Sequence, residues 1–254
     1  MPTSGELEAL LTAVADRELS PAEASRRLAM LPFRDIGFAR VDTHREFRQG
    51  APEAILGEGK TPEQAAAIAS ALVAAGASSV LVTRADEPMR DAVRDVLPEA
   101  REHALARAIW VECDPIERRG RVLIVSAGTS DGAVVHEARI RAELLGTDVT
   151  VHEDVGVAGI HRLVPVLPDL AGADVVVVVA GMDGALASVI GGLAACPVIG
   201  VPTSVGYGSA RHGETALQAM LCSCADGLAV VGIDDGLGAG SVAARIARRS
   251  AAAP

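Results

Sequence analysis

The chain has 254 residues, half of them hydrophobic, and carries 33 acidic against 23 basic side chains for a formal net charge of −10. This length and apolar content allow one large buried core or two modest ones, and the acidic balance argues against a nucleic-acid partner, whose phosphates require basic patches. No apolar run approaches the roughly 20 residues of a spanning helix, and the opening MPTSGELEAL is not signal-like, so a soluble, cytoplasmic protein with no membrane partner is expected.

Residues 5–17 and 21–31 have apolar side chains at helical spacing, the second with Ser20 as N-cap and Pro21 at the first helical position, and they read as a helical hairpin. Between 37 and 60 the chain interleaves strand-like pieces, FARV and AILG, with Asp42, His44, Arg45, Arg48, Glu53, Glu58 and Lys60, a charge density unusual for a plain loop. Thr61, Pro62 and Gly76 then frame a helix as N-cap, first turn and stop. A strand over 78–83, a helix over 87–97 and a strand over 104–112 complete a smaller amino-terminal α/β domain, residues 1–113. The polar stretch 114–121, with Pro115 and Gly120, reads as a linker.

From 122 to 254 strands and helices alternate: strands near 122–126, 148–152, 174–179, 197–201 and 228–233, helices near 131–145, 157–164, 184–194, 213–223 and 238–249. Such alternation predicts a doubly wound parallel sheet covered on both faces, a three-layer α/β/α domain. The run of five valines from Val175 to Val179 is a strand apolar on both faces, and the loop at its carboxyl end, Gly181-Met182-Asp183-Gly184, stands where such sheets bind ligands. Asp183 is either an acid in a site or an N-cap of the next helix.

Four further segments carry candidate chemistry. SAGTSD follows the first strand of this domain, and Ser126, Gly128, Thr129 and Ser130 suit an anion cradle, with Asp131 able to hold a ribose, a metal or a proton. It has neither Walker nor dinucleotide-fingerprint spacing. DVGVAGIHR pairs His161, a proton-transfer residue, with Arg162, a bidentate anion ligand. Tyr207 lies between two glycines and can stack on a base. In SCADG, Cys224 is either a packed residue or a nucleophile; all four cysteines are expected as reduced thiols rather than a disulfide framework, and Cys222 and Cys224 lack the further ligands of a zinc site.

SAGTSD, AGIHR, AGMDGALASVIGG and CPVIGVPTS, in this order, resemble the phosphoribosylaminoimidazole (AIR) carboxylases of PurE type, although Ala185 stands where that family has its carboxylation-loop histidine. A resemblance over nearly the whole chain is to the LarB-type pyridinium-3,5-biscarboxylic acid mononucleotide synthases of nickel-pincer cofactor synthesis. It rests on GFARVDTHREFRQGAPEAILGEGKTPEQ, SAGTSD, EDVGVAGIHRL, AGMDGALASVIGGL, VPTSVGYG and SCADG, with Asp183 where that family's AGMEGALPS has glutamate. It implies a carboxylase domain of PurE-like fold, a homo-octamer, and carboxylation of nicotinic acid adenine dinucleotide by CO2 or bicarbonate with release of AMP, with Mg²⁺ as cofactor. By the same resemblance Cys224 is a covalent nucleophile, Asp183, Asp131 and His161 are candidate acids or bases, and Gly181, Met182, Gly184, Arg162, Arg48 and Lys60 join the substrate contacts. The alternatives are a purine-type carboxylase or mutase and a non-catalytic nucleotide-binding regulatory domain.

Overall fold

The computed structural model describes residues 4–29 and 33–252. The chain divides into two compact units, one comprising residues 1–102 with 108–115 and the other residues 103–107 with 116–254. The turn at 103–107 thus belongs with the carboxy-terminal unit, an excursion that a single cut after residue 113 does not capture.

In the amino-terminal unit, α1 (Ser4–Ala15) and α2 (Pro21–Ala29) form the expected hairpin, with Ser20 Oγ accepting the Glu23 amide at 3.1 Å. The last two residues of the expected second helix, 30 and 31, lie outside the described residues. The charged stretch folds as a two-residue ribbon, β1 (Arg34–Asp35) with β2 (Arg40–Val41), then a short helix α3 (Arg45–Gln49) and β3 (Ala54–Leu56). Helix α4 (Pro62–Ala74) starts in a capping box in which Thr61 and Gln64 satisfy each other's backbone amides. It is followed by β4 (Ser79–Thr83), α5 (Glu87–Val96), β5 (Arg101–His103) and β6 (Ala108–Glu112). The expected strand over 104–112 is strand only from Ala108 onward, because residues 104–107 form the turn between β5 and β6, with Arg107 in a left-handed conformation, φ 50°. The sheet order is β3-β4-β6-β5, with β3 parallel and β6 antiparallel to β4. Its core packs Val80, Val82 and Ile109 against Ile68, Leu72 and Met89.

The carboxy-terminal unit alternates β7 (Arg121–Ser126), α6 (Gly132–Leu144), β8 (Asp148–His152), α7 (Leu167–Gly172), β9 (Val175–Ala180), α8 (Ala185–Leu193), β10 (Val198–Pro202), α9 (Glu214–Leu221), β11 (Leu228–Val230) and α10 (Gly236–Ser250). All five strands are parallel in the order β11-β10-β9-β7-β8. The last strand is shorter than its sequence suggests, three residues of an expected six, and 157–166 is a kinked 3-10 segment rather than an α-helix because Gly159 departs from helical angles.

The five-valine run explains how the layers hold. Val176 and Val178 face Leu163, Leu186, Ile190 and Met220 on one side, while Val175, Val177 and Val179 face Val135, Ala138, Ala239, Ala243 and Ala247 on the other. Side chains alternate across a strand, so a strand covered on both faces must be apolar at every position. Each fully buried valine contributes roughly 1.5–3 kcal/mol. The second side is close because it is built from small residues: a Cβ on Gly240 of α10 would strike the Ala138 carbonyl of α6. Among the described residues no helix is long and apolar enough to cross a membrane.

Candidate active site

Strand order reverses between β7 and β9, and the loops leaving the strands there diverge to form a crevice. A cleft of about 260 Å³ occupies it, lined by residues 127, 128, 130 and 131 after β7, residues 156–158 and Arg162 beyond β8, residues 180–183, 185 and 186 at the end of β9 and beyond, and Val205 after β10. It brings together Gly128, Ser130, Asp131, Arg162, Gly181, Met182 and Asp183 of the residues singled out from the sequence.

Asp131 is buried at the entry to α6, 2% exposed. Its Oδ2 accepts the Gly128 amide at 2.9 Å and its Oδ1 the Thr203 hydroxyl at 2.7 Å. Burial pushes its carboxyl above the ordinary range, these two hydrogen bonds pull the other way, and the negative charge of Asp234 adds to the rise. A carboxyl whose pKa is raised by burial in a cleft suits proton transfer. Asp183 is exposed, and its Oδ1 accepts the Ala185 amide at 3.2 Å, so it braces the start of α8 although Gly184, at φ 64°, is the N-cap residue. Met182 also takes a positive φ, 51°, and its amide donates to Val205 O at 3.1 Å. A Cβ on Gly181 would run into that same Val205 carbonyl, which is why glycine occupies the position.

Arg162 enters the cleft already oriented, donating through Nη1 to Asp154 Oδ1 at 2.7 Å and through Nη2 to the Gly156 carbonyl at 3.2 Å. His161 is exposed and does not line the cleft. Several other expected contacts are also placed differently. Ser126 is fully buried and donates to the Gly128 carbonyl at 3.4 Å, so it supports the loop from beneath rather than meeting a ligand. Thr129 and Gly184 lie beside the cleft in sequence without lining it, and Tyr207 is 82% exposed on the far part of its loop. Arg48 and Lys60 belong to the amino-terminal unit and are engaged there, Arg48 in a two-pronged pair with Asp42 at 2.7 and 3.1 Å and Lys60 with the Leu56 carbonyl at 2.8 Å.

All four cysteines are free thiols. Cys224 is exposed on the loop that enters β11, whereas the cleft stands where β7 to β10 exit, and the thiol is not part of the cleft's lining. That loop is held by a Ser188–Ser223 hydroxyl contact of 2.8 Å to α8. Sequence reasoning passed over Val205, which lines the cleft, and Thr203 and Asp154, which hold Asp131 and Arg162 in place. The signal available for Thr203 was a hydroxyl directly after a wholly apolar strand; Asp154 acts through its carboxylate on Arg162 eight residues on, and Val205 through a backbone carbonyl, which carries no sequence pattern. The magnesium implied by resemblance does not find a preformed site: among the described residues no group of three or more His, Cys, Asp or Glu could hold a metal ion, and both oxygens of Asp131 are already bonded.

A parallel α/β domain with an acid-bearing cleft at its topological switch point defines a small-molecule enzyme or binding protein of the doubly wound class. Residues 121–253, just over half of the chain, match the AIR carboxylase family, and residues 33–114 match the LarB/PurE-like N-terminal domain. The chain therefore belongs to the AIR carboxylase family and carries a LarB/PurE-like N-terminal domain, and its role is that of a carboxylase family. Among its relatives, "Uncharacterized protein MJ0165" of Methanocaldococcus jannaschii is 36% identical over 253 residues, covering 95% of this chain and 97% of the relative. Solved structures of Treponema denticola PurE and of a single-site variant of its PurE2 are each 18% identical, with TM-scores of 0.41 and 0.40; they cover 52% and 48% of this chain and 80% and 76% of their own.

Proposed function

We propose that the chain carboxylates the pyridinium ring of nicotinic acid adenine dinucleotide at C5 and hydrolyses the phosphoanhydride, giving pyridinium-3,5-biscarboxylic acid mononucleotide and AMP. The observation that carries the reading is the composition of the cleft: two carboxylates, Asp131 and Asp183, and an oriented Arg162, with Ala185 in place of an imidazole. Purine-type carboxylation draws on the histidine that this loop lacks, whereas a pyridinium ring needs a nucleophile, a CO2 pocket and an acceptor for one proton.

The Cys224 thiolate adds to C4 of the cationic ring and gives a neutral dihydropyridine, an enamine nucleophilic at C5. C5 forms a bond to CO2, leaving an iminium at the ring nitrogen. A carboxylate, Asp183 or Asp131, takes the C5 proton, and breaking the C4–S bond returns the electron pair to sulfur and restores the aromatic cation. Arg162 neutralises phosphate while water cleaves the anhydride. Because the Cys224 loop and the cleft stand at opposite ends of the strands, the thiol is assigned to a second copy of the chain. The exposure of Leu193 and Leu221 near the Cys224 loop, and of Ile160, Val164 and Met182 around the cleft, supports such self-association.

The test is mass spectrometry of the protein incubated with the dinucleotide and ¹³C-bicarbonate. The reading expects a labelled dicarboxylate mononucleotide, AMP and, on acid quench, an adduct on the Cys224 peptide. Turnover of an aminoimidazole ribonucleotide instead, or unimpaired product from Cys224→Ala, overturns it.

A further inference from the structure

Thr203 follows directly on β10 and is fully buried, and its hydroxyl donates across two strand ends to Asp131 Oδ1 at 2.7 Å. Two residues later the Val205 carbonyl accepts the Met182 amide at 3.1 Å. Gly181 is pressed against both, since a Cβ there would strike Val205 O and lie 2.8 Å from Thr203 Oγ1. The segment is itself anchored: the Thr203 amide donates to the Ala180 carbonyl at 3.0 Å and the Ser204 amide to Asp234 Oδ1 at 2.8 Å. One short stretch of chain therefore touches the loop that carries Asp131, through the Thr203 hydroxyl, and the loop that carries Asp183, through the Val205 carbonyl.

Filling this space does not require a hydroxyl. Valine has nearly the same shape, and a buried hydroxyl is costly unless bonded. Its one proton goes to a carboxylate, the strongest and most directional use available to it. The Gly128 amide holds the other oxygen, so the plane and rotamer of Asp131 are fixed from two sides.

We propose that Thr203 is a positioning residue: its hydroxyl orients Asp131, while the Val205 carbonyl two residues on holds Met182, so that a single loop sets the spacing of the two cleft acids. The role rests on the carboxylase reading given above. Burial and the Asp234 charge oppose ionisation of Asp131, and the Thr203 and Gly128 hydrogen bonds favour it. Removing the hydroxyl leaves only one of those two bonds.

The test compares Thr203→Val with Thr203→Ser in the full chain. In protein labelled with ¹³C-carboxyl aspartate, the Asp131 resonance is identified by its loss in Asp131→Asn and titrated without substrate. Its midpoint is expected to rise in Thr203→Val and to return close to wild type in Thr203→Ser. With the dinucleotide and bicarbonate, kcat is expected to fall about tenfold or more in the valine variant, the size of one lost charge-assisted bond, while KM stays within about threefold. The acid limb of the pH profile should move up with the midpoint, and serine should recover the rate. An Asp131 titration unchanged by Thr203→Val, or a rate loss that serine does not recover, overturns the proposal in an active enzyme. A wild-type protein that turns over no dinucleotide overturns the carboxylase reading itself, whatever the titration shows.

Discussion

The Arg162 guanidinium is held by Asp154, Nη1 to Oδ1 at 2.7 Å, with Nη2 on the Gly156 carbonyl, so its planar group is fixed before any ligand arrives. Asp154 adopts φ 57° to make this contact, a conformation uncommon for a residue with a side chain. A pre-oriented guanidinium binds an anion with less loss of side-chain freedom than a lysine does. Arg162→Lys should therefore raise the KM for the dinucleotide about tenfold or more with a smaller change in kcat, measured by steady-state kinetics. An unchanged KM would remove Arg162 from substrate binding.

Asp131 gives a stability prediction with a definite sign. Its folded pKa lies above the ordinary 3.8 because it is buried, so its ionisation opposes folding. The penalty is absent below the unfolded value and complete once the pH has passed the folded one. An amide in its place still accepts the Gly128 N–H through oxygen and donates to the Thr203 oxygen through nitrogen. Asp131→Asn should thus melt above wild type at neutral pH, lose that advantage on acidification below 3.8, and be catalytically impaired. Thermal melts across pH check it; a lower melting temperature at neutral pH contradicts it.

Two adjacent glycines in α8 should respond in opposite directions. A Cβ on Gly191 meets Ala225 Cβ at 2.7 Å, whereas one on Gly192 meets nothing within 4 Å. Gly191→Ala should cost about 1–3 kcal/mol through overpacking and disturb the Cys224 loop, lowering activity as well. Gly192→Ala should gain up to about 1 kcal/mol from helix propensity. Urea denaturation distinguishes them, and equal effects would mean that α8 does not pack on residue 225 as described.

The assignment of the thiol to a second copy is tested by mixing inactive variants. Cys224→Ala and Asp183→Asn are each expected to be inactive, yet subunits reassembled together at equal amounts should recover about a quarter of wild-type activity, the statistical share of sites with both groups intact. No recovery after verified exchange would mean that thiol and acid come from one chain.

Much of this architecture was legible beforehand for physical reasons. Val175 to Val179 can only be a doubly covered strand, and Thr61-Pro62 can only open a helix cheaply, so the central strand and this helix start follow from local chemistry. The turn over 104–107 was not legible, since the left-handed arginine that closes it has no residue signature. Nor was the exact cleft lining: sequence placed Ser126 among the ligands because it shares a loop with Gly128, but strand alternation turns it inward. His161 and Arg162 are neighbours in the chain, and the 3-10 geometry of 157–166 directs only the second into the cleft. Most informative is Thr203, whose partner Asp131 lies 72 residues away; a pairing of that kind exists only once the sheet has formed.

The strand between the two cores also constrains how a ligand is met. Every residue of β9 is buried, and strands pair with it on both sides. Its amides should exchange with solvent deuterium only when the whole carboxy-terminal unit unfolds. The loop bearing Asp183 is thus tethered to the slowest-opening part of the unit, and its acid offers a fixed target rather than one that folds around its guest. Recognition on this side of the cleft should then be limited by how fast the ligand finds the correct orientation, with no slow conformational phase after encounter.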